Sequence, residues 1–553
     1  MKNRIVPASG PRNAKIAFVG MAPGRQELAT GVPFMGAAGA IFNGALRQLG
    51  KIRNEVYVTN IHNEFLAPGT SLFSLPQSTR QTSIDRFKRE MEVVRPHIIV
   101  TLGDEPLYFI CNLRGIQKWR GSILPSTLIP GQKCLASVHP AWIVRGMHKW
   151  EPVMTHIDFK RAFEESVSPD IVLPERRAIT GPSMNTVMDY IQECHQHDII
   201  SFDIEVYGYT ATGTGEMACI GIGYSPDEAL CIPLIRSGGI PYWGVREESR
   251  IWRAIANLLQ DRNIRKVGQN LAFEWIYFWL HRIYPTNMWI DTMLLHHTLY
   301  PDFGGTEDIW GRRRSYDEPG HSLAFINSQY TKSPYYKDDG RRWSPGLGDH
   351  AFWRYNAMDV MVTLECAYKL RAEAEEENLW DFYVEFQQRP FIHTARAEWF
   401  GVAIDTNKRA LVGAELGEQI RMLQDRIDQK LGYSLNVNSP KQIHKLLYDE
   451  KGFKVKRHKE TKRPTADKHV LRTFAEQTQD EVLLWIQELR SVRDLKSDIV
   501  DQPLGTDERM HTHYKQGGTD TNRWSSTKSI LGTGTNLQNI PRDGVARTLF
   551  LPN

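Results

Sequence analysis

The sequence predicts a multidomain protein with an α/β domain first, an α+β domain in the middle and a mainly helical domain last. Its 553 residues are enough for about three or four domains. Near the start, the β-branched runs KIAFVG, EVYVTNI and HIIVTLG alternate with helical patterns, which is typical of a parallel α/β sheet. In the middle, DIISFDIEV reads as a buried strand, and ACIGIGYS and ALCIPLI read as an antiparallel pair. Long helical stretches fill the last third.

Changes of composition along the chain set the expected domain boundaries. The α/β domain is predicted over residues 1–165, and the linker 166–196 contains the proline- and charge-rich stretch SVSPDIVLPERRAITGPS. The α+β domain is predicted over 197–372 and the helical domain over 373–553. No internal repeat is evident, so a repeat architecture is not expected.

The overall composition excludes several classes of protein. The net charge is only +4, so any nucleic-acid-binding surface must be local. No run of about 18 apolar residues and no signal peptide occur, so no membrane span is expected. No Cys-x-x-Cys pair occurs, which argues against a zinc ribbon or a disulfide framework and fits a reducing cytoplasm. The cysteines are Cys111, Cys134, Cys194, Cys219, Cys231 and Cys366.

A glycine-rich turn, GMAPGRQELATGVPFMGAAG, follows the first predicted strand at residues 20–39. Such a turn can bring backbone N–H groups close to a ligand, often a phosphate, although alone it is more often structural. EVYVTNI, VTLGDEPL, RGIQKWRGSIL and SVHPAWIVRG follow in order. Together these stretches resemble the uracil-DNA glycosylase superfamily, in particular its iron–sulfur bacterial and archaeal members.

The resemblance implies a uracil pocket in the first domain. Phe34 would stack on a uracil flipped out of the DNA, and Asn60 would bind its edge. His139 would stabilise charge on the departing base, and Glu27 matches an acidic position near the attacking water. Met21 stands where close relatives carry Glu, and the cysteines lack the placement of cluster ligands, so no iron–sulfur cluster is expected. The domain is either an active glycosylase or a module that only binds DNA or a partner.

Two pairs of polar side chains stand out in the middle domain. Asp203 and Glu205 lie two residues apart on the predicted strand, so both face one side and repel unless a cation lies between them. A lone Asp-x-Glu is usually structural. On a predicted helix, YNAMD places Tyr355 and Asp359 four residues apart, again on one face. The two pairs therefore offer three carboxylates that can be brought together.

A third element, VGQNLAFEW, adds Asn270 and Glu274 at the start of an apolar helix. Carboxylates from one strand and two helices can converge on a pair of divalent metal ions. Such a pair activates a water molecule and stabilises the leaving oxygen of a phosphodiester. Oxygen ligands favour Mg²⁺ or Mn²⁺ over zinc.

These motifs, in this order, resemble the ribonuclease H-like 3′–5′ proofreading exonuclease domain of family A DNA polymerases. WIDTMLLHHTLYPD and HSLAFINSQYTKSPYYK extend the resemblance, while His296 and His297 lie outside the pattern and are expected to be structural. By the resemblance, Tyr355 would orient the attacking water and Asn270 would lie near the primer end. Glu274 stands where the family usually has the shorter Asp, which would shift the second ion, yet an active exonuclease is favoured. The two Mg²⁺ or Mn²⁺ ions would be held by Asp203, Glu205, Glu274 and Asp359.

The helical domain carries a basic run and further family motifs. Residues 441–472 contain eleven Lys/Arg against four Asp/Glu, which indicates either a solvated loop or a tip that follows DNA phosphates. ARAEWFGVAIDTNKRAL and LNVNSPKQIHKLLYDEKG resemble the thumb of family A DNA polymerases. HTHYKQGGTDTNRWSSTKSILGTGTNLQNIP resembles the motifs T-G-R-L-S-S and N-L-Q-N-I-P where the thumb meets the palm, with Asn522 and Trp524 replacing Gly and Leu.

The same resemblance implies contacts with a primer-template. Arg523 would reach the minor groove near the primer terminus, where all base pairs present similar acceptors. Arg547 matches an arginine close to the incoming nucleotide. The implied DNA-binding residues are Arg523, Ser525, Asn536, Gln538, Asn539 and Arg547.

The catalytic palm and fingers motifs of the family are not found in this sequence, so the chain alone is not expected to polymerise DNA. We expect the N-terminal subunit of a split, phage-type DNA polymerase in the host cytoplasm, with a second polypeptide that supplies palm and fingers. The alternatives are a truncated or intein-divided single-chain polymerase and a catalytically silent DNA-binding scaffold. The final RTLFLPN is predicted to be a strand, and residues 545–553 are predicted to be buried against the second polypeptide.

Overall fold

The computed structural model describes residues 5–144, 151–208, 215–303, 320–340, 343, 348–457, 464–542 and 544–551. They form two compact units. The first contains the described residues up to 207, from 217 to 389 and from 519 to 523, and the second contains mainly 390–518 and 524–551. Of the helices in these ranges, none combines the length and the apolar character needed to cross a lipid bilayer.

The first domain is built on a five-stranded sheet. Its strands are β1 (Ile16–Gly20), β2 (Tyr57–Asn60), β3 (Ile98–Leu102), β4 (Ile123–Pro125) and β5 (Lys133–Ser137). They lie in the order β2-β1-β3-β5-β4, with β4 antiparallel and the others parallel. Helices cover both faces, and successive residues of β1 point to opposite sides. Ala17 and Val19 pack in one apolar cluster, and Ile16 and Phe18 pack in the other.

Seven α-helices of the first domain are described. They are α1 (Arg25–Thr30), α2 (Ala37–Gln48), α3 (Gln77–Val94), α4 (Asp104–Cys111), α5 (Ile116–Trp119), α6 (Pro140–Val144) and α7 (Glu151–Glu165). The alternation of strand and helix confirms the predicted parallel α/β fold.

The middle domain has a six-stranded mixed sheet. Its strands are β6 (Arg177–Ile179), β7 (Ile199–Tyr207), β8 (Glu216–Ser225), β9 (Glu228–Pro233), β12 (Arg265–Gly268) and β13 (Met288–Asp291), and β10 (Ile235–Arg236) and β11 (Ile240–Pro241) form a separate small hairpin. The order is β13-β12-β7-β8-β9-β6. The pair β8–β9 is antiparallel, as the sequence predicts.

The helices of the middle domain place its functional side chains against the central strand. They are α8 (Met184–Cys194), α9 (Val245–Gln260), α10 (Ala272–Leu280), α11 (Thr292–Leu299), α12 (Leu323–Tyr330), α13 (Asp349–Glu376) and α14 (Trp380–Tyr383), which continues into a π-helical turn at Val384–Gln388. Helix α13 packs along β7 and β9. The sequence predicts this α+β arrangement, and the structure confirms it.

The third domain is mainly helical, as predicted. Its helices are α15 (Arg389–Phe400), α16 (Thr406–Leu431), α17 (Pro440–His444), α18 (Lys468–Thr478) and α19 (Glu481–Leu495), with π-helical turns at Lys445–Glu450 and Lys496–Val500. Two short strand pairs join β14 (Val402–Ala403) to β15 (Arg509–Met510) and β16 (His513–Lys515) to β17 (Ser525–Thr527). Its largest apolar cluster lies between α16, α18 and α19.

The end of the described chain differs from its prediction. Val545–Leu549 is a 3-10 helix rather than a strand, because Ala546 and Leu549, three residues apart, both turn inward. Leu549 is 1% exposed and packs in the apolar cluster of the helical domain. Only Phe550 forms a bridge of strand type, to Ile404. The strand prediction is therefore wrong for these residues, which bury apolar side chains within their own domain.

The first and middle domains share a polar interface. The guanidinium of Arg120 is 1% exposed, pairs with the buried carboxylate of Asp158 and donates to Ser328 Oγ at 2.6 Å. Arg161 donates to the carbonyl oxygen of Gln329 at 2.9 Å. A buried charge is tolerated only where it is paired and hydrogen-bonded. Residues of α12 thus complete the hydrogen bonds of two guanidiniums that belong to the first domain.

Two histidines form a buried pair beneath α11. His296 Nδ1 lies 2.6 Å from His321 Nδ1, so one ring donates its N–H to the other. Burial lowers the pKa of His296 to about 3. Burial and the neighbouring His296 also lower the pKa of His321. Both rings are therefore held neutral inside the fold.

We predict that this region loses stability when the pH falls from 7 to 5. The unfolded chain binds a proton at His296 near pH 6.5, whereas the folded chain does not until about pH 3. The lowered pKa removes about 2 kcal/mol of stability by pH 5. Hydrogen exchange at the amides of α11 would measure the loss, and His296→Gln should reduce its pH dependence by that amount. An equal pH response in both proteins would contradict the prediction, and the exposed His350→Gln is the control.

Candidate active site and associated binding residues

Three carboxylates meet where α13 crosses β7. Asp203 and Glu205 come from β7 and Asp359 from α13, and one oxygen of each lies within 4.8 Å of the others. Asn356, one helical turn before Asp359, donates its side-chain amide to Asp203 Oδ2 at 2.8 Å. Tyr355 lies on the same helix beside them. The structure therefore brings together four of the residues that the sequence assigns to one site.

The electrostatics of this group are those of a site built for cations. Burial and the charge of Asp359 raise the pKa of Asp203 to about 8. Burial and the neighbouring carboxylates raise the pKa of Glu205 well above its ordinary value. Burial likewise raises the pKa of the Tyr355 hydroxyl, which keeps its proton. Like charges this close ionise together only if a cation offsets their repulsion.

Glu274 lies at the margin of the group. It is carried by the first turn of α10, it is 4% exposed, and its Oε2 has no hydrogen-bond partner among the described residues. Burial and the charge of Asp203 raise its pKa well above the ordinary value. A buried carboxylate oxygen that is left unpaired beside three others fits a divalent ion with oxygen ligands.

We predict that Glu274→Gln stabilises the chain in EDTA at pH 8.5. The raised pKa means that ionisation of Glu274 costs free energy in the fold, so stability is lost as the pH rises above the ordinary value of 4.5. Removing the charge should raise the melting temperature by about 2–4 °C at pH 8.5 and much less at pH 5. Differential scanning fluorimetry checks this, with the exposed Glu376→Gln as control. An equal rise at both pH values would argue for a packing effect instead.

Two side chains that the sequence analysis did not select also contact the carboxylates. The Tyr336 hydroxyl donates to Asp359 Oδ1 at 2.6 Å. Lys337 Nζ donates to Asp359 Oδ2 at 2.5 Å and to the Tyr355 hydroxyl at 3.0 Å. A Cβ on Gly340 would lie 2.5 Å from the Tyr355 ring, so this chain segment can approach the tyrosine only because that residue is glycine.

Asn270 lies in the turn before α10. Its φ is 60°, and its backbone N–H donates to Asp291 Oδ1 at 3.0 Å. Asp291 also accepts from the N–H of Leu271 at 2.7 Å and caps α11. Burial raises the pKa of Asp291 to about 6, although these N–H groups oppose the rise. Asp291, which the sequence analysis did not select, therefore fixes the turn that presents Asn270.

The residues of the predicted uracil pocket gather beside the carboxyl end of β1. The rings of Phe34 and His139 stack with centroids 5.4 Å apart, and Asn60 ends the neighbouring strand β2. A Cβ on Gly20 would lie 2.5 Å from Asn60 Oδ1 and 2.8 Å from Phe34 Cζ, so only glycine permits this approach. Phe34 is 4% exposed, and the His139 ring covers one face of its ring. A base could therefore stack on that face of Phe34 only if the imidazole of His139 moved away.

The loop that carries Phe34 is held in a strained conformation. The φ of Phe34 is 53°, which is uncommon for a bulky residue. Arg53 donates to the carbonyl oxygens of Pro33 and Phe34, and Glu27 Oε1 accepts from the Met35 N–H at 3.1 Å. Such strain persists only when the surroundings impose it, and it is found most often at binding sites.

The predicted DNA-binding residues of the last domain have different environments. Arg523, Gln538, Asn539 and Arg547 are exposed, whereas Ser525 lies half-buried on β17. Asn536 Oδ1 accepts from the Gln538 N–H at 3.0 Å and so caps the 3-10 turn Leu537–Asn539. Gln538 Nε2 donates to the carbonyl oxygen of Trp524 at 3.1 Å. In this structure Asn536 has a structural role that the sequence did not predict.

The basic run 441–472 is described only in part, because residues 458–463 lie outside the described residues. Its beginning forms α17 and the following π-helical turn, whose Leu446 and Leu447 are buried. Its exposed lysines include Lys441, Lys454 and Lys468. The prediction of a tip that follows phosphates stays a prediction.

Three stretches of the chain match known families. Residues 7–166 match the uracil DNA glycosylase superfamily. Residues 183–375 match the 3′-5′ exonuclease family, and residues 407–553 match DNA polymerase family A. The matches follow the order of the three domains, so the family resemblances inferred from the motifs are confirmed.

Individual relatives show the same division. The type-4 uracil-DNA glycosylase of Thermotoga maritima is 31% identical over 147 residues, which make up 26% of this chain and 73% of that protein. DNA polymerase I of Pseudomonas aeruginosa is 27% identical over 370 residues, which make up 64% of this chain and 38% of that protein. The chain thus spans well under half the length of the DNA polymerase I that it matches.

One solved structure resembles much of the chain. It is the POL domain of Pol1 from M. smegmatis in complex with DNA primer-template and dNTP. The TM-score is 0.50 at 19% sequence identity, and the match covers 68% of this chain and 57% of that chain. At this identity the likeness shows a shared fold and nothing more.

Proposed function

We propose that this chain, whose first domain belongs to the uracil-DNA glycosylase superfamily, is a metal-dependent proofreading exonuclease of DNA replication. The domains that follow match the 3′–5′ exonuclease and family A DNA polymerase families. One observation carries this proposal. Asp203, Glu205 and Asp359 present oxygens within 4.8 Å of one another, and Tyr355 lies beside them.

In the proposed reaction, the four carboxylates would hold two divalent ions, Mg²⁺ or Mn²⁺. These ions would supply an activated water and stabilisation of the leaving oxygen when bound. The Tyr355 hydroxyl, which keeps its proton because burial raises its pKa, orients the attacking water by hydrogen bonding. Asn270 binds near the 3′ end, at the turn that Asp291 fixes. The carboxylates holding the ions are Asp203, Glu205, Glu274 and Asp359.

The direct test uses the whole chain, Mg²⁺ and a single-stranded oligonucleotide with a label at its 5′ end. A ladder of shortened products that grows from the 3′ end and stops on addition of EDTA would support the proposal. If the oligonucleotide stays at full length in both Mg²⁺ and Mn²⁺ while the chain still binds it, the alternative of a catalytically silent DNA-binding scaffold would replace the proposal.

We propose that the last domain binds primer-template DNA. Exposed Arg523, Asn539 and Arg547, together with the basic run, supply cations and amides, which suit phosphates and minor-groove acceptors. Fluorescence anisotropy with a labelled primer-template measures this binding. Affinity that falls steeply with salt and weakens in Arg523→Ala would support the proposal, and affinity indifferent to salt would count against it.

We further propose that polymerisation requires palm and fingers outside this sequence. A second polypeptide of a split, phage-type polymerase and a continuous longer chain are the two arrangements that the sequence analysis leaves open. Co-expression with a candidate palm-and-fingers chain, followed by primer extension, tests the first arrangement. If the mixture of the two chains extends the primer and neither chain does so alone, the arrangement as two subunits would be supported.

The first domain has two candidate functions, removal of uracil from DNA and binding alone. The grouping of Phe34, Asn60 and His139 favours recognition of a base, whereas the low exposure of Phe34 favours a closed pocket. Uracil-containing DNA, incubated with the chain and then with alkali, distinguishes the two. Strand breaks that disappear in Asn60→Ala would establish glycosylase activity. If the strands stay intact at high protein concentration, the first domain would be assigned a binding role alone.

A further inference from the structure

A short segment, Tyr335–Asp338, lies between the carboxylate site and the first domain. The segment makes a tight turn together with Asp339, whose backbone N–H donates to the Tyr336 carbonyl oxygen at 3.1 Å. Its two middle side chains point to the site, and its two outer side chains point to the first domain. One turn therefore contacts two domains through different residues.

The inner side chains of the segment reach the site directly. Tyr336 and Lys337 contact the two oxygens of Asp359, at 2.6 and 2.5 Å. The ammonium of Lys337 also donates to the Tyr355 hydroxyl at 3.0 Å, and its side chain is 20% exposed. One cation thus bridges a proposed metal ligand and the tyrosine that would orient the water.

The outer side chains of the segment contact the stretch Lys118–Ser122 of the first domain. The Tyr335 ring packs edge-on against Trp119, with centroids 5.4 Å apart, and its backbone N–H donates to Ser122 Oγ at 3.2 Å. Asp338 pairs with Lys118 at 2.5 Å. The ion pair is partly exposed and contributes little, so the aromatic contact and the backbone hydrogen bond fix the segment.

We propose that Lys337 is a positioning residue of the exonuclease site and that the first domain holds it in place through the Tyr335–Asp338 segment. This inference rests on the proposed exonuclease function. Without divalent ions, Lys337 neutralises Asp359. With ions at the carboxylates, Lys337 would have to share Asp359 with them or release it, while its hydrogen bond to the Tyr355 hydroxyl would fix the direction of the phenol.

This role has a signature that a purely structural role lacks. The ammonium competes with divalent ions for Asp359, so Lys337→Met should bind Mn²⁺ about three- to tenfold more tightly. The same variant should lower kcat at least about tenfold, because the phenol is no longer directed, with KM changed less than about threefold. Lys337→Arg should restore a large part of kcat, since it can donate to the same two oxygens.

The experiment measures Mn²⁺ binding by calorimetry and exonuclease kinetics on the whole chain. The matched control is Lys332→Met, a lysine near the same segment that pairs with Glu165 of the first domain and is not in contact with the described site residues. Tighter Mn²⁺ binding with a lower kcat in Lys337→Met alone would support the inference. Weaker Mn²⁺ binding and lower kcat with a lower melting temperature would show a structural residue and overturn it.

A second pair of variants tests the contribution of the first domain. Trp119→Ala frees the Tyr335 ring and should lower kcat about threefold or more, with Mn²⁺ affinity changed in the same direction as in Lys337→Met. Phe109→Ala removes a partly buried aromatic side chain that packs on Phe73, away from the segment, and should leave kcat unchanged. Equal kinetics for Trp119→Ala and the native chain would overturn the role of the first domain.

Failure of this inference can be told apart from failure of the proposed function. A native chain that does not shorten DNA would overturn both. If the native chain shortens DNA and the Lys337→Met variant keeps the full kcat, only the positioning role of Lys337 would be overturned. Activity that is lost in Lys337→Met and restored in Lys337→Arg is the result that we expect.

Discussion

Asp203→Asn is expected to abolish exonuclease activity and the stabilisation of the chain by Mn²⁺. Asp203 lies at the centre of the site, since its charge raises the pKa of both Glu205 and Glu274. Loss of a shared metal ligand removes several kcal/mol of transition-state stabilisation, so kcat should fall by about 1,000-fold or more. The labelled-oligonucleotide assay measures the rate, and scanning fluorimetry with and without Mn²⁺ measures the stabilisation.

The stability of the metal-free variant distinguishes loss of a metal ligand from damage to the fold. Asparagine removes a buried charge that is repelled by its neighbours, so the metal-free variant should melt no lower than the native chain. The matched control is Asp189→Asn on α8, an exposed residue of the same domain. An Asp203→Asn chain that shortens DNA at the native rate would refute the assignment of the site.

Asp158→Ala is expected to cause the largest loss of stability. Asp158 is fully buried, pairs with Arg120 and accepts from Ser137 Oγ at 2.9 Å. Its removal leaves the guanidinium of Arg120 buried and without its counter-charge, which costs about 3–5 kcal/mol. Thermal unfolding and hydrogen exchange at β5 and α12 would measure the loss in both domains that meet there.

The control for this variant lies on the same helix. Lys160 and Glu164 form an exposed ion pair at 4.0 Å, and Lys160→Ala should cost less than about 1 kcal/mol. If Asp158→Ala unfolds only the first domain and leaves exchange at α12 unchanged, the interface does not couple the two domains. Exchange that rises on both sides is the expected result.

The sequence alone was enough to predict that the three carboxylates lie close together, because each of them is carried by a regular strand or helix. Spacing of two on a strand and of four on a helix is set by backbone geometry, so Asp203, Glu205 and Asp359 could be assigned to common faces before any contact was known. Asn356 could have been found by the same rule, since it lies three residues before Asp359 on α13. Periodicity thus locates the side chains that regular elements present.

The contacts of Lys337 could not be predicted in this way. The lysine lies in an irregular turn, where side-chain direction follows from tertiary contacts rather than from a repeat. It reaches Asp359, 22 residues away, from a segment that Gly340 allows close to Tyr355 and whose Tyr335 ring packs on Trp119. Likewise, the strand predicted for RTLFLPN was wrong where that stretch overlaps the 3-10 helix Val545–Leu549, because burial of Ala546 and Leu549 outweighed a weak local preference for extended backbone.

The interface at Arg120 has a consequence for synthesis on the ribosome. Ser328, which completes the hydrogen bonds of this guanidinium, is encoded 208 residues later. At about 5–20 residues per second, Ser328 leaves the exit tunnel roughly 10–40 s after Arg120 does. During that interval Trp119 and the polar groups around Arg120 are uncovered on the nascent chain. The first domain therefore reaches its fully hydrogen-bonded state only after α12 has been synthesised.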